Sequence, residues 1–237
     1  MTANRRSALA AGLLFIVATG AAGVAAAIEP SRATSLDLAQ VAANLDRYGV
    51  ASLFLLIAAG TSVGIAIALY PILRPVGRAT ALGSVVFRAV EAVFYVIAVV
   101  SLWTTMRLAT GTTTDQATNT ALAALVVSLR DHAALAGVFA FCTGALLYYA
   151  LFLQSRLIPR WLSGWGIVGA VCMLTACVLA VFADRPITGY TPLIAPIAVQ
   201  EMVFGVWLLA KGVSQPTTRV VEQGAPTAVL NESPAGA

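Results

Sequence analysis

The apolar residues of this chain neither alternate nor keep to one face. They come in six long runs, roughly 8–28, 50–70, 81–103, 133–153, 164–183 and 192–211. A helix needs about 20 mostly apolar residues to cross the hydrocarbon core of a bilayer at about 1.5 Å per residue, and each run is that long. The polar stretches 71–80, 156–163 and 184–191 are too short to fold alone, while 29–49 and 104–132 are longer. The pattern predicts an all-α, polytopic integral membrane bundle of six transmembrane helices over residues 1–211. In the longer stretches Leu38, Val41, Leu45 and Tyr48, and then Leu122, Leu125, Val126 and Leu129, recur at helical spacing. Each set predicts a short amphipathic helix lying at the outer interface. After Lys211 the chain turns to Gly, Pro, Ser, Thr and Gln, which predicts a disordered tail over 212–237.

Composition narrows the class. The 237 residues are 59% apolar and 10% charged, against about 25% charge in soluble domains, which excludes a soluble globular protein. The net charge of +4 matters less than its placement. One set of connecting turns holds Arg74, Arg78, Arg156 and Arg160 with no acid, and Arg5, Arg6, Lys211 and Arg219 flank the first and last spans on that same side. The opposite segments mix Arg32, Arg47, Arg107, Arg130 and Arg185 with Glu29, Asp37, Asp46, Asp115, Asp131 and Asp184. Lys and Arg beside spans mark the cytoplasmic side, so both termini are expected in the cytoplasm. Arg5-Arg6, an apolar run and Ala25-Ala26-Ala27 also imitate a signal peptide, but the run is longer than the usual central region of one. Basic residues are 13 Arg to 1 Lys and Ala is abundant, which points to a bacterium with a GC-rich genome and hence to the bacterial plasma membrane. The expected partners are the lipid bilayer and a small-molecule ligand, not nucleic acid.

Ionisable side chains inside membrane spans are costly and mark function by default. Here they are Arg88 and Glu91 in the third run and Glu201, with Gln200 beside it, in the sixth. Counted from the basic ends of their spans, Glu91 and Glu201 reach the same depth, near the midplane. Arg88 and Glu91, three positions apart, share a helix face, and a planar guanidinium can bond two carboxylates at once. An Arg88–Glu91–Glu201 cluster has a formal charge of −1 with both acids ionised, so a shared proton or a bound cation is expected to complete it. Two readings stay open: a structural clamp between spans, and a polar site, with Gln200, for a small molecule or proton. Pro196, which removes a backbone donor, introduces an irregularity next to Glu201.

Asp131 and His132 form a third candidate, an acid–base pair at the outer mouth of the fourth span, where a lipid-modifying enzyme would work. His132 is the only histidine, so haem pairs, di-iron boxes and His-Glu-x-x-His zinc chemistry have no ligands. Cys142, Cys172 and Cys177 lie in apolar runs without metal-ligand spacing. No metal, cofactor or nucleophile signature is expected. Gly60-x-x-x-Gly64, and Gly166 with Gly169, allow close helix approach.

Several short motifs occur together: Phe87-Arg88-x-x-Glu91-Ala92, Leu129-Arg130-Asp131, Arg156-x-x-Pro159-Arg160-Trp161-Leu162-Ser163 and Gln200-Glu201-Met202. In this order, over about residues 8–212, they resemble the bacterial domain-of-unknown-function family 4386. The resemblance implies a polytopic bacterial membrane protein without an assigned biochemical role. That family commonly has an aromatic residue where this chain has His132.

Overall fold

A computed structural model describes residues 3–28, 38–111, 115–183 and 187–214. It is helical, with no strand among the described residues: α1 (Ala3–Ile28), α2 (Leu38–Ala42), α3 (Leu45–Leu73), α4 (Arg78–Thr110), α5 (Gln116–Ser155), α6 (Arg160–Ala183) and α7 (Thr191–Ala210), with a 3-10 turn at Ile187–Tyr190. Six of these helices are long and apolar enough to cross a membrane. The apolar runs lie inside them, except that Lys211 caps α7 instead of extending it.

The long helices close a ring: α1 packs on α3, α3 on α4, α4 on α5, α5 on α6, α6 on α7, and α7 returns to α1. With six passes, α1 begins and α7 ends on the same side, called here the basic end. The ring shuts where Gly12 meets Gly205, because a Cβ on Gly12 would stand 2.7 Å from the Gly205 carbonyl oxygen. Arg5 fastens the same seam, donating from Nη1 to the Leu208 carbonyl (3.1 Å) and from Nη2 to that of Leu209 (2.8 Å). These are terminal carbonyls of α7 that its own helix cannot satisfy. Gly212, at φ 72°, turns the chain back under the bundle, a left-handed conformation that glycine adopts without a Cβ penalty. Ser214 N then donates to the Leu157 carbonyl at 2.9 Å. The first residues of the expected tail are thus held against the bundle; 215–237 lie outside the described residues.

The two interfacial helices expected from the leucine spacing take another form. Over 35–48 the described chain breaks at Ala43 and Asn44, where Asn44 Nδ2 donates to the Gln40 carbonyl at 2.8 Å. Leu38 and Val41 are buried in the short α2, whereas Leu45 and Tyr48 already belong to α3. Over 116–130 no separate helix forms, because α5 runs unbroken for 40 residues. Arg130-Asp131-His132 contains no breaker and leads into Ala133-Ala134-Leu135. Interrupting the helix there would leave unpaired backbone groups at two new ends. The buried side of this segment is Asn119, Ala123 and Arg130, while Leu122, Leu125 and Leu129 are exposed. The hydrocarbon core is about 30 Å thick, so α5, about 60 Å long at 1.5 Å per residue, extends well past it at the far end.

Packing differs between the two halves of the ring. The half nearer the basic end is filled by bulky side chains, Phe15, Leu69, Tyr148, Tyr149, Phe152 and Phe204 among them. Five of the rings pack edge-on or tilted: Phe15 lies 5.0 Å from Phe204 and 6.2 Å from Tyr148, Tyr148 4.4 Å from Tyr149, and Phe152 5.4 Å from Phe204. The far half is closed mainly by small residues, including Ala21, Ala25, Ala58, Ala59, Ala98, Ala176 and Ala180.

Candidate functional site: a charged cluster inside the ring

Arg88 and Glu91 lie one turn apart on the inward face of α4, and Glu201 faces them from α7. Arg88 Nη1 donates to Glu91 Oε2 at 2.9 Å and to Ser62 Oγ at 3.3 Å. Its Nη2 donates to Glu201 Oε1 at 3.1 Å and to the Tyr148 hydroxyl at 3.2 Å. Ser62 Oγ in turn donates to Glu91 Oε2 at 2.6 Å, and Thr19 Oγ1 to Glu201 Oε2 at 3.0 Å. The guanidinium also lies over the Phe141 ring, 4.6 Å from its centroid. One arginine thereby draws together α1, α3, α4, α5 and α7.

Three features describe the chemistry available here. The cluster has one fixed cation and two carboxyl groups, so it is formally −1 unless a proton or another cation is present. Arg88 Nε is buried without a hydrogen-bond partner, leaving one donor of the guanidinium for an acceptor that the described residues do not provide. Burial is uneven: the Arg88 side chain keeps 3% of its surface accessible and Glu201 keeps 11%. A carboxyl group that keeps a little of its surface, together with an unused guanidinium donor, suits a small molecule that both accepts and donates hydrogen bonds. It equally suits a proton.

Gln200 stands apart from this cluster. Its Oε1 accepts from the Tyr149 hydroxyl and its Nε2 donates to the Leu162 carbonyl at 3.1 Å, which fixes α7 to α5 and α6. Adjacent helical residues diverge by about 100°, which explains why Glu201 and its neighbour serve different networks. The same geometry separates Asp131 from His132 on the far-end part of α5. His132 is exposed, and its Nδ1 lies 2.7 Å from the Ser128 carbonyl of its own helix. Pro196 sits within α7, near where Gly169 lets α6 approach closely: a Cβ there would be 3.0 Å from Ile197 Cα.

The sequence reading did not pick out Thr19, Ser62 and Tyr148. All three are polar groups in apolar runs at the depth of Arg88, so the depth count that paired Glu91 with Glu201 would have flagged them had it included hydroxyls. Among the described residues no group of three or more His, Cys, Asp or Glu side chains could hold a metal ion.

Six apolar helices closed around a buried arginine and two glutamates define a multi-pass membrane protein of the helical-bundle class. The family model described as "Domain of unknown function (DUF4386)" matches residues 10–212, and the chain belongs to that family. No curated protein and no solved structure matches it.

Proposed function

We propose that the chain binds, or passes across the bacterial plasma membrane, a small protic molecule or a proton at Arg88, Glu91 and Glu201. The observation that carries this reading is the cluster's formal charge of −1 together with a Glu201 side chain that remains partly accessible. Entry from the far end is favoured, because aromatic rings fill the basic half. Carbodiimides modify protonated carboxyl groups, so native membranes treated with one should show labelled Glu201 or Glu91 by peptide mass spectrometry. Labelling should fall as the pH is raised. Absence of labelling from mildly acidic to mildly alkaline pH, with the fold intact, overturns the reading.

A second reading is a non-catalytic scaffold or regulator in which the cluster only locks the helices. Its support is that Nη1 and Nη2 of Arg88 each make two hydrogen bonds. That reading predicts two permanently ionised, inert carboxylates. The lipid-modifying alternative has less support, since His132 Nδ1 lies against the Ser128 carbonyl of its own helix.

Lys and Arg beside the spans favour the basic end in the cytoplasm. Single cysteines introduced at positions 74–78 or 156–160 should react only with reagents that cross the membrane, and cysteines at 110–118 with impermeant ones. Impermeant labelling of both basic turns would reverse the topology.

A further inference from the structure

We propose that the seam between α6 and α7 at the basic end binds the phosphate-bearing headgroup of an anionic lipid. The described acids, Asp46, Glu91, Asp115, Asp131 and Glu201, all lie at the cluster or towards the far end, while the arginines and the lysine at the basic end have no carboxylate partner among the described residues. The described bundle thus supplies them with no counter-ion.

Tryptophan singles out one place on that surface. Trp161 and Trp165 share a face of α6, and Trp161 meets Trp207 of α7 edge-on at 6.2 Å, with Trp165 6.4 Å away. Trp161 is 54% exposed. Tryptophan favours the headgroup level of a bilayer, and three at one corner form a platform across the seam. Arg160 begins α6 immediately before Trp161, and Lys211 caps α7 one turn after Trp207; both are exposed. The basic turn at Arg74 and Arg78 has the charge but no tryptophan.

A helix C-terminus carries partial negative charge and repels phosphate. Here Arg5 covers the Leu208 and Leu209 carbonyls, and the Trp207 carbonyl accepts from Lys211 N and Gly212 N. With those carbonyls occupied, Lys211 and Arg160 present net positive charge beside an aromatic surface, which matches a headgroup with acyl chains attached. This inference is independent of the midplane reading.

The test uses the full chain carrying Trp103→Phe, which leaves only the three seam tryptophans to fluoresce. It is reconstituted in phosphatidylcholine vesicles containing a minor share of brominated lipid. Brominated phosphatidylglycerol should quench more strongly than brominated phosphatidylcholine at the same share. A basic residue near an anionic surface contributes about 1 kcal/mol, so the preference should drop roughly fivefold for each of Arg160→Ala and Lys211→Ala. Arg74→Ala/Arg78→Ala should leave it within twofold. An unchanged preference in Arg160→Ala/Lys211→Ala overturns the proposal, and so does an equal loss in Arg74→Ala/Arg78→Ala, which would mean a diffuse basic collar. Inorganic phosphate should not relieve the quenching; if it does so at millimolar concentration, the seam is a free-phosphate site and the lipid assignment fails.

Discussion

Arg88→Ala is expected to destabilise the bundle by about 3–5 kcal/mol, the usual cost of removing one partner of a buried ion pair. The lost hydrogen bonds account for the smaller part, since interhelical hydrogen bonds in membranes average about 0.6 kcal/mol. The larger part is charge: Glu91 and Glu201 would remain inside the ring without a cation, and a charged side chain at the bilayer centre costs about 2.5–3.5 kcal/mol on insertion scales. Acidification should restore some of the loss, because a protonated carboxyl group is neutral and can donate a hydrogen bond. Replacing the whole cluster, as Arg88→Met/Glu91→Leu/Glu201→Leu, strands no charge and should cost much less. Ser62 and Thr19 can then turn to their own helix carbonyls, as Thr61 does to that of Ile57 at 2.7 Å. Thermal unfolding in detergent compares the variants directly. A triple variant melting no higher than Arg88→Ala would mean that the cluster does not hold the ring through charge compensation.

The fold was legible because its dominant cause, removal of apolar runs from water into lipid, acts on every run independently of the others. The Arg88–Glu91 pair was legible for an equally local reason, since three positions on a helix fix a shared face. Which side of each span faces inward was much harder to read, because apolar residues cover these helices almost all round. Thr61 and Ser62 are neighbours of similar chemistry; one bonds its own backbone and the other enters the cluster. Only the packing of α3 against α4 decides between them. Gln200 shows the same limit, for its closeness to Glu201 in sequence suggested a shared site while the helical rotation gave it to Tyr149 and Leu162. The amphipathic spacing of Leu122, Leu125 and Leu129 implied a separate helix, yet nothing in 130–135 stops α5 from continuing. Periodicity marks a face, and it does not say whether that face is covered.

Glycine contacts give the second large effect, and a comparison of two glycines makes it testable. Gly60, part of the small-residue pattern in the second run, has nothing within 4 Å of where a Cβ would sit, and Gly64 would meet only the side chain of Leu14, nearest at Cδ1, 3.1 Å away. Gly12, in the Ala8-x-x-x-Gly12 spacing of the first run, would place its Cβ 2.7 Å from the Gly205 carbonyl oxygen. A side chain can rotate away from such a clash but a helix backbone cannot, so Gly12→Ala must push α1 off α7. Overpacking of this kind costs about 1–3 kcal/mol. Gly60→Ala should be neutral or stabilising by up to about 1 kcal/mol, since alanine exceeds glycine in helix propensity. The consequence reaches the cluster, because Thr19 on α1 donates to Glu201 on α7 at 3.0 Å across the same seam. Separating the two helices weakens that bond and opens Glu201 further. Gly12→Ala should therefore both lower the melting temperature in detergent and raise carbodiimide labelling of Glu201, while Gly60→Ala should do neither. If Gly60→Ala proves the more damaging, the ring is not closed at Gly12 and Gly205, and Glu201 loses the partner on α1 that this seam provides.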